Sequence, residues 1–340
     1  MGENETKTFE SYLLSQRSSA EVGFEVFLAI VILLVSVAGN VFVIYAIHSY
    51  RKLNTVTNIL IENLAVTDIC MALLHMPVWI STLNRGRWVL GHVMCQLTGA
   101  TMLTFGSASL LTLGIISLYR YLKIVKRNLY SKIFKNRKTA RIFCLAVWIF
   151  SAIVTTPPVY GWGGLEFVEK FATCAISWNI KHVSYIMVLL LGVLFFPTFL
   201  IFYAYIQIYR LVRANSLRME GHYQSRDVAS IHRTAQIARS KSQNKVLLTS
   251  FVIVCVFLVC WTPICIVGLS EMAGREQGRG FSMVAIYFMF CSSLANPFLY
   301  GILNPRFKEA FANIIKCFMR NGADDTGHET APNDSSKPSS

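Results

Sequence analysis

Residues 93–123 read VMCQLTGATMLTFGSASLLTLGIISLYRYLK, a run without Asp, Glu, Lys or Arg until Arg120. Roughly 20 consecutive apolar residues suffice to cross the hydrocarbon of a bilayer as a helix. This stretch therefore reads as a membrane span ending in a guanidinium flanked by Tyr119 and Tyr121. Working outward, seven such segments occur, at about 24–48, 57–82, 93–118, 140–160, 184–209, 246–269 and 281–301. The chain of 340 residues is 54% hydrophobic and only 15% charged, a composition that a water-soluble core does not need. The fold class that follows is all-α: a seven-helix membrane bundle over residues 24–301, with little chain left for a separate soluble domain.

The net charge of +14 is distributed as a membrane protein's would be. Lys123, Lys126, Arg127, Lys132, Lys135, Arg137, Lys138 and Arg141 fall in one short stretch with no acid. Residues 210–245 carry eight more basic side chains against Glu220 and Asp227, whereas the N-terminus bears Glu3, Glu5, Glu10 and Glu21. The positive-inside rule then predicts a multi-pass chain with an extracellular N-terminus (1–23) and a cytoplasmic C-terminus; the plasma membrane is the expected location. The basic excess is read as topology and attraction to anionic lipid, not as a nucleic-acid surface. Residues 1–22 are polar, so the first span is expected to act as its own insertion signal. With the N-terminus outside, Asn4-Glu5-Thr6 is a glycosylation sequon at Asn4. Met1-Gly2 with Thr6, and Asn333-Asp334-Ser335, are then chance matches to lipidation and glycosylation patterns.

Nine cysteines sort by depth. Cys70, Cys144, Cys255, Cys260, Cys265 and Cys291 lie in apolar spans and read as small hydrophobes. Cys95 precedes Arg120 by 25 residues, which at about 1.5 Å per residue is a membrane thickness. If Arg120 faces the cytosol, Cys95 and the loop residue Cys174 both face an oxidising exterior, and a disulfide between them is expected. Cys317, on an amphipathic run after the last span, is a palmitoylation candidate.

Polar residues inside the spans need partners. An ionised carboxylate at Asp68 must turn inward to partners or a cation, or be protonated. Ser109, Ser292 and Asn296 stand at matching depth on the third and seventh spans, and a sodium ion is one candidate occupant. Arg120 has two readings: an interfacial anchor beside aromatic residues, or a functional cation. Pro77, Pro157, Pro158, Pro197, Pro263 and Pro297 each free a backbone carbonyl and permit a kink. Trp261-Thr262-Pro263 and Asn296-Pro297-Phe298-Leu299-Tyr300 join such kinks to polar or aromatic neighbours, as a hinge between two packings would.

The ordered set resembles the rhodopsin-like class of G-protein-coupled receptors over about residues 24–318. It comprises Gly39-Asn40, Leu64-Ala65 with Asp68, Trp88 with Gly91, Cys95, Arg120-Tyr121, Trp148, Cys174, Pro197 with Tyr205, Phe257 with Cys260-Trp261 and Pro263, and Asn296-Pro297 with Tyr300. The resemblance implies that an agonist binds the outer half and that the sixth helix swings outward at its inner end. A heterotrimeric G protein would then enter beside Arg120, with arrestin and receptor kinases as further partners. It implies a coupling switch of Tyr119, Arg120, Tyr121, Tyr205, Tyr300, Asn296 and Pro297. Transmission would run through Trp261, Pro263, Phe257, Pro197 and Leu110, and Asp68, Ser109, Ser292 and Asn296 would form the sodium cluster. Residues 302–320, apolar at Phe307, Phe311, Ile314 and Ile315, resemble an eighth helix lying on the membrane. The tail 321–340, with Thr326, Thr330, Ser335, Ser336, Ser339 and Ser340, reads as disordered and phosphorylatable, or as a plain solvated tail.

Three departures matter. Tyr119 stands where the class usually has an acid, and Gln243 or Asn244 where many members have another, so no ion pair restrains Arg120 and raised basal signalling is expected. Met102 replaces the aspartate of amine receptors. Phe290 replaces the lysine of opsins, so covalent retinal is not expected, although Gly161-Trp162-Gly163-Gly164 through Cys174-Ala175-Ile176 is opsin-like. The remaining pocket positions, Phe105, Ile176, Leu189, Val193, Ile264, Cys265 and Ile286, are apolar. A neutral, lipophilic or aromatic ligand of the melatonin kind fits such a lining, as does a filled pocket with no diffusible agonist.

Other classes find less support. A transporter would show internal repeats and paired broken helices, and no repeat relates the halves. An enzyme would need a reactive cluster. Asp68 is the one deep carboxylate, and the histidines read as scattered or near span ends. A scramblase or structural role leaves no sequence mark to test.

Overall fold

The computed structural model describes residues 16–134, 136–223 and 230–326, and the side chains among these except 216–223, 230–244, 318 and 320–326. Asn4, the tail beyond residue 326, and the side chains of Gln243 and Asn244 lie outside the described residues. Seven helices are long and apolar enough to cross a membrane: Ser19–Ser49, Val56–Arg85, Gly91–Ile124, Arg137–Tyr160, Ile180–Asn215, Lys245–Met272 and Arg279–Leu303. They are called the first to seventh helices below, and each contains one of the seven expected segments.

Caps and prolines set their ends. Ser18 begins the first helix with a reciprocal capping box to Glu21. Thr55 caps the second, and Asn136 the fourth through the Thr139 amide. Two prolines leave a common mark upstream. A π turn at Met71–His75 comes just before Met76-Pro77, and another at Leu190–Phe195 just before Phe196-Pro197. Proline lacks the N–H and crowds the carbonyl four residues back; a widened turn relieves both. Pro263 and Pro297 remain inside continuous helices, whereas Pro157 and Pro158 end the fourth helix in a 3-10 turn.

Residues 210–245 were legible only as a charge run. In the structure the fifth helix continues to Tyr223 and the sixth begins at Ser230. The reason is local: this stretch has no proline and one glycine, and carries six Arg, four Ala and three Gln. The surface helix likewise runs Pro305–Thr326 rather than 302–320, with Pro305 at its start. Phe307, Ala310 and Ile314 turn inward, Phe307 stacking at 5.2 Å on Tyr300 and Phe311 at 4.7 Å on Phe42. Ile315, expected on the same face, is exposed.

Between the fourth and fifth helices lies a hairpin, β1 (Leu165–Val168) and β2 (Thr173–Ile176), antiparallel with Phe167 opposite Cys174. Its turn needs Ala172 at φ 52°, a left-handed conformation that a small side chain tolerates best. The expected disulfide Cys95–Cys174 is formed and ties β2 to the third helix.

Candidate functional site

The polar and aromatic residues singled out above fall at three levels of the bundle. At the disulfide end, the hairpin enters between the helices. Phe171, Ala172, Thr173, Cys174, Ala175 and Ile176 are all buried. Trp79 donates its indole N–H to the Phe171 carbonyl at 2.9 Å, and Thr173 Oγ1 meets His75 Nε2 at 3.2 Å. Backbone pushed into a bundle must find such partners, because an unpaired buried carbonyl is costly.

Met102, Phe105, Ile264, Ile286 and Phe290 are buried in one cluster with Trp79, Phe171 and Ala172, and Cys265 lies at its margin. Ile176 and Leu189 belong to a neighbouring cluster around Trp178 and Tyr185; Val193 is buried outside both. Eight of the nine expected pocket positions therefore fall in two packed apolar clusters rather than one, and Val193 falls in neither. Phe290, at the class's lysine position, stacks 4.6 Å from Trp79 and 5.6 Å from His75. His75, one of the histidines whose spacing reads as scattered or near span ends, is 1% exposed and central. Its position before the Met76-Pro77 kink was the available signal. Trp79, four residues on, was missed for the same reason.

At the middle level Asp68 accepts a 2.8 Å hydrogen bond from the Asn296 side-chain amide and faces Ser293. The other two expected partners are turned elsewhere. Ser109 donates to Thr67 at 3.1 Å, and Ser292 donates to the Met289 carbonyl while accepting from Trp261 Nε1 at 3.2 Å. Asn40 joins the first helix to the seventh through the Ser293 carbonyl at 3.0 Å. Trp148 bonds Asn63, which bonds Thr112, linking the fourth, second and third helices. Trp261 stacks 5.4 Å from Phe257. Its ring lies against the bare backbone of Gly106, where a Cβ would stand 2.2 Å from the indole. Of the residues expected to transmit, Leu110, Pro197 and Phe257 are buried and Pro263 is half-buried.

At the third level is the arginine end. Arg120 is 7% exposed, and its Nε has no partner among the described residues. Tyr119 does not substitute for an acid. Its phenol turns away, 3.3 Å from the Tyr130 hydroxyl and 3.3 Å from Lys123 Nζ, with its ring against Phe134 at 5.1 Å. Tyr130 and Phe134 belong to the loop between the third and fourth helices, which forms a short helix, Arg127–Ile133. Tyr205 and Tyr300 stand near the guanidinium with buried hydroxyls that meet no partner in good geometry among the described residues. Ser117, beside Tyr205, spends its hydroxyl on its own helix, at the Leu113 carbonyl. Tyr121 faces outward toward Tyr203, 6.1 Å away. Asn296 and Pro297, expected as part of the switch, sit above, Pro297 against Gly39.

The fold and these levels define a polytopic membrane protein with a plugged disulfide end and a buried arginine at the other. Residues 39–300 match the family described as 7 transmembrane receptor (rhodopsin family). The chain belongs to that family. Among curated relatives, rhodopsin of Camponotus atriceps is 29% identical across 81% of this chain and 73% of its own length. Melanopsin-B of Xenopus laevis is 28% identical across 83% of this chain, which spans only 53% of it. The 5-hydroxytryptamine receptor 1B of Vulpes vulpes is 29% identical across 88% and 89%. The crystal structure of squid rhodopsin superposes with a TM-score of 0.78 at 24% identity, covering 94% of each chain, which shows the shared fold.

Proposed function

We propose that this chain is a plasma-membrane receptor, N-terminus outside and C-terminus cytosolic, that activates a heterotrimeric G protein with raised basal activity. The observation that carries the proposal is the pairing at the arginine end. Arg120 is buried beside two phenols, while the residue preceding it, Tyr119, is held by the adjoining loop. A carboxylate at 119 would hold the guanidinium by a charge-assisted bond, worth roughly twice a neutral one. A phenol turned away does not. The resting packing thus loses a restraint, and a two-state balance of a few kcal/mol shifts toward coupling. Nucleotide exchange on purified G proteins, without ligand, tests this. Wild type should exceed background, and Tyr119→Asp should lower the rate about fivefold to tenfold. Background rates in both would overturn it.

For the ligand, a neutral lipophilic molecule is proposed, because the expected pocket positions are apolar and Met102 offers no counter-ion to an amine. Covalent retinal does not fit: the seventh helix has no lysine, and Phe290 is 1% exposed within an aromatic stack. A second reading is favoured by the buried hairpin, in which Phe171 and Thr173 themselves occupy the space and no diffusible agonist is required. Phe171→Ala separates the two. A lowered ligand-free rate supports the built-in occupant; an unchanged rate supports an external one.

Sodium fits the middle level on the chemistry of its donors. Asp68 is buried with neutral partners among the described residues, and a hard cation takes oxygen ligands of the kind it carries; Ser109, Ser292 and the Asn296 amide would have to turn their oxygens toward the ion. Arrestin and receptor kinases are proposed partners of the tail. Exposed Cys317 suits palmitoylation against the membrane.

A further inference from the structure

The apolar cluster at the disulfide end holds one polar ring. His75 is 1% exposed, its ring 5.6 Å from that of Phe290, which stacks in turn on Trp79 at 4.6 Å. Its Nε2 is matched by Thr173 Oγ1 at 3.2 Å, but Nδ1 is buried without a hydrogen bond among the described residues. The Thr98 carbonyl stands near the ring, yet outside hydrogen-bond geometry. A neutral imidazole carries one N–H and one lone pair, so Nδ1 is a stranded donor in one tautomer and a stranded acceptor in the other. A buried nitrogen left unmatched is costly, and native structures rarely keep one without an occupant for it.

Polar groups on the surrounding helices are already spent. Thr82, Thr98 and Ser282 are buried, and each donates its hydroxyl to a carbonyl of its own helix. The Trp79 indole donates to Phe171, and the Tyr287 phenol to the Glu25 carbonyl. Turning any of them to Nδ1 would strand a carbonyl in exchange. The walls decide what else an occupant must be. Met102, Phe105, Ile286 and Phe290 pack in the same cluster, and a charged group would be dehydrated against them. A hydroxyl both donates and accepts, so it matches Nδ1 in either tautomer, whereas an ether or ketone matches only the N–H form.

We infer that His75 is the polar recognition residue of this cluster, and that the ligand it selects is a neutral alcohol or phenol on a lipophilic body, bonded through its hydroxyl to Nδ1. The inference rests on the external-ligand reading above and names the chemical class of that ligand. Farnesol, 4-octylphenol and 1-dodecanol, each beside the hydrocarbon that lacks its hydroxyl, serve as probes. Binding to the full chain in phosphatidylcholine nanodiscs is read by equilibrium dialysis against empty nanodiscs, which corrects for partition into lipid. At least one alcohol should bind about tenfold or more tightly than its hydrocarbon, the effect of leaving one buried nitrogen unmatched. H75F keeps a ring against Phe290 and removes both nitrogens, so it should bind the two alike. H75N sets an amide at the place of Nδ1 and should keep the difference. H75Q sets its amide at the place of Nε2 and should lose it, which carries the test if H75F does not fold. Equal binding of alcohol and hydrocarbon by wild type, as a water on Nδ1 would give, overturns the inference and leaves the external-ligand reading standing. A difference that survives in H75F or H75Q also overturns it. Absence of binding by every probe overturns the external-ligand reading, and this inference with it.

Discussion

Tyr119 and Gly106 show how much one side chain decides here. Tyr119 is 4% exposed and its ring closes an aromatic cluster with Tyr130 and Phe134. Tyr119→Asp would therefore do two things: offer Arg120 a carboxylate and empty a ring-sized space against the loop. The exchange rate and the stability report these separately. The rate should fall as proposed, while Tyr119→Phe, which keeps the ring and loses only long hydroxyl contacts, should leave it near wild type. Gly106 is required by proximity. A Cβ there would overlap the indole of Trp261, so Gly106→Ala should cost about 1–3 kcal/mol, read as a lowered unfolding temperature in detergent. A full-strength variant would show that Trp261 rotates away at no cost, and that this glycine does not hold the indole in place.

At the scale of elements, prolines and tethers set where the helices bend and how their ends are held. The two π turns precede Pro77 and Pro197, the prolines after which the second and fifth helices resume regular turns. The first of them carries His75, which it directs to Thr173 of the hairpin. Replacing Pro77 by alanine restores the N–H and removes the steric reason for the wide turn. The His75–Thr173 contact should loosen, seen as faster hydrogen exchange across residues 171–176. The first inter-helix loop is tied to the surface helix by Glu309, which accepts from Tyr50 at 2.6 Å and Lys52 at 2.8 Å. Bonding to Lys52 depresses the Glu309 carboxyl below the usual carboxylate range, and bonding to Glu309 raises the Lys52 ammonium. The sign follows from these directions. The tether is complete above the ordinary glutamate pKa and is lost as pH falls through the lowered Glu309 value, or as it rises through the raised Lys52 value. Spin labels on the loop and the surface helix should report a longer distance in acid. Both groups are exposed, so global stability should barely move.

At the scale of the whole molecule, the disulfide end is the more heavily bound. The Cys95–Cys174 bridge anchors the hairpin, Lys170 pairs with Glu271 of the sixth helix, and Trp178 lies against Gly268. Glu25 accepts from Arg17 at 2.9 Å and from Arg279 at 2.7 Å, while Tyr287 donates to its carbonyl. Arg17 also reaches the Leu83 carbonyl, so the first, second and seventh helices meet at one carboxylate. Glu25→Gln leaves two arginines facing each other in a largely buried place and should cost about 1–3 kcal/mol in thermal unfolding. Loss of the disulfide should cost more, about 2–5 kcal/mol, seen as reduced surface expression.

Sequence alone determined the seven spans, because hydrocarbon imposes a length and an apolarity that any single segment shows by itself. It also determined the absence of a lysine at Phe290 and of an acid at Tyr119, since a missing functional group is legible without coordinates. The Cys95–Cys174 pair was legible because depth along a helix follows from counting residues. Only the tertiary structure decided what Tyr119 binds instead, that Asp68 turns to Asn296 and Ser293 and not to Ser109, and that the hairpin fills the disulfide end. The helical extensions over 210–223 and 230–245 were hidden by charge, which reports topology and says little about backbone conformation. Which hydroxyl meets which carboxylate depends on helix rotation and on two proline-widened turns. Those are properties of the packed bundle, and one-dimensional spacing does not contain them.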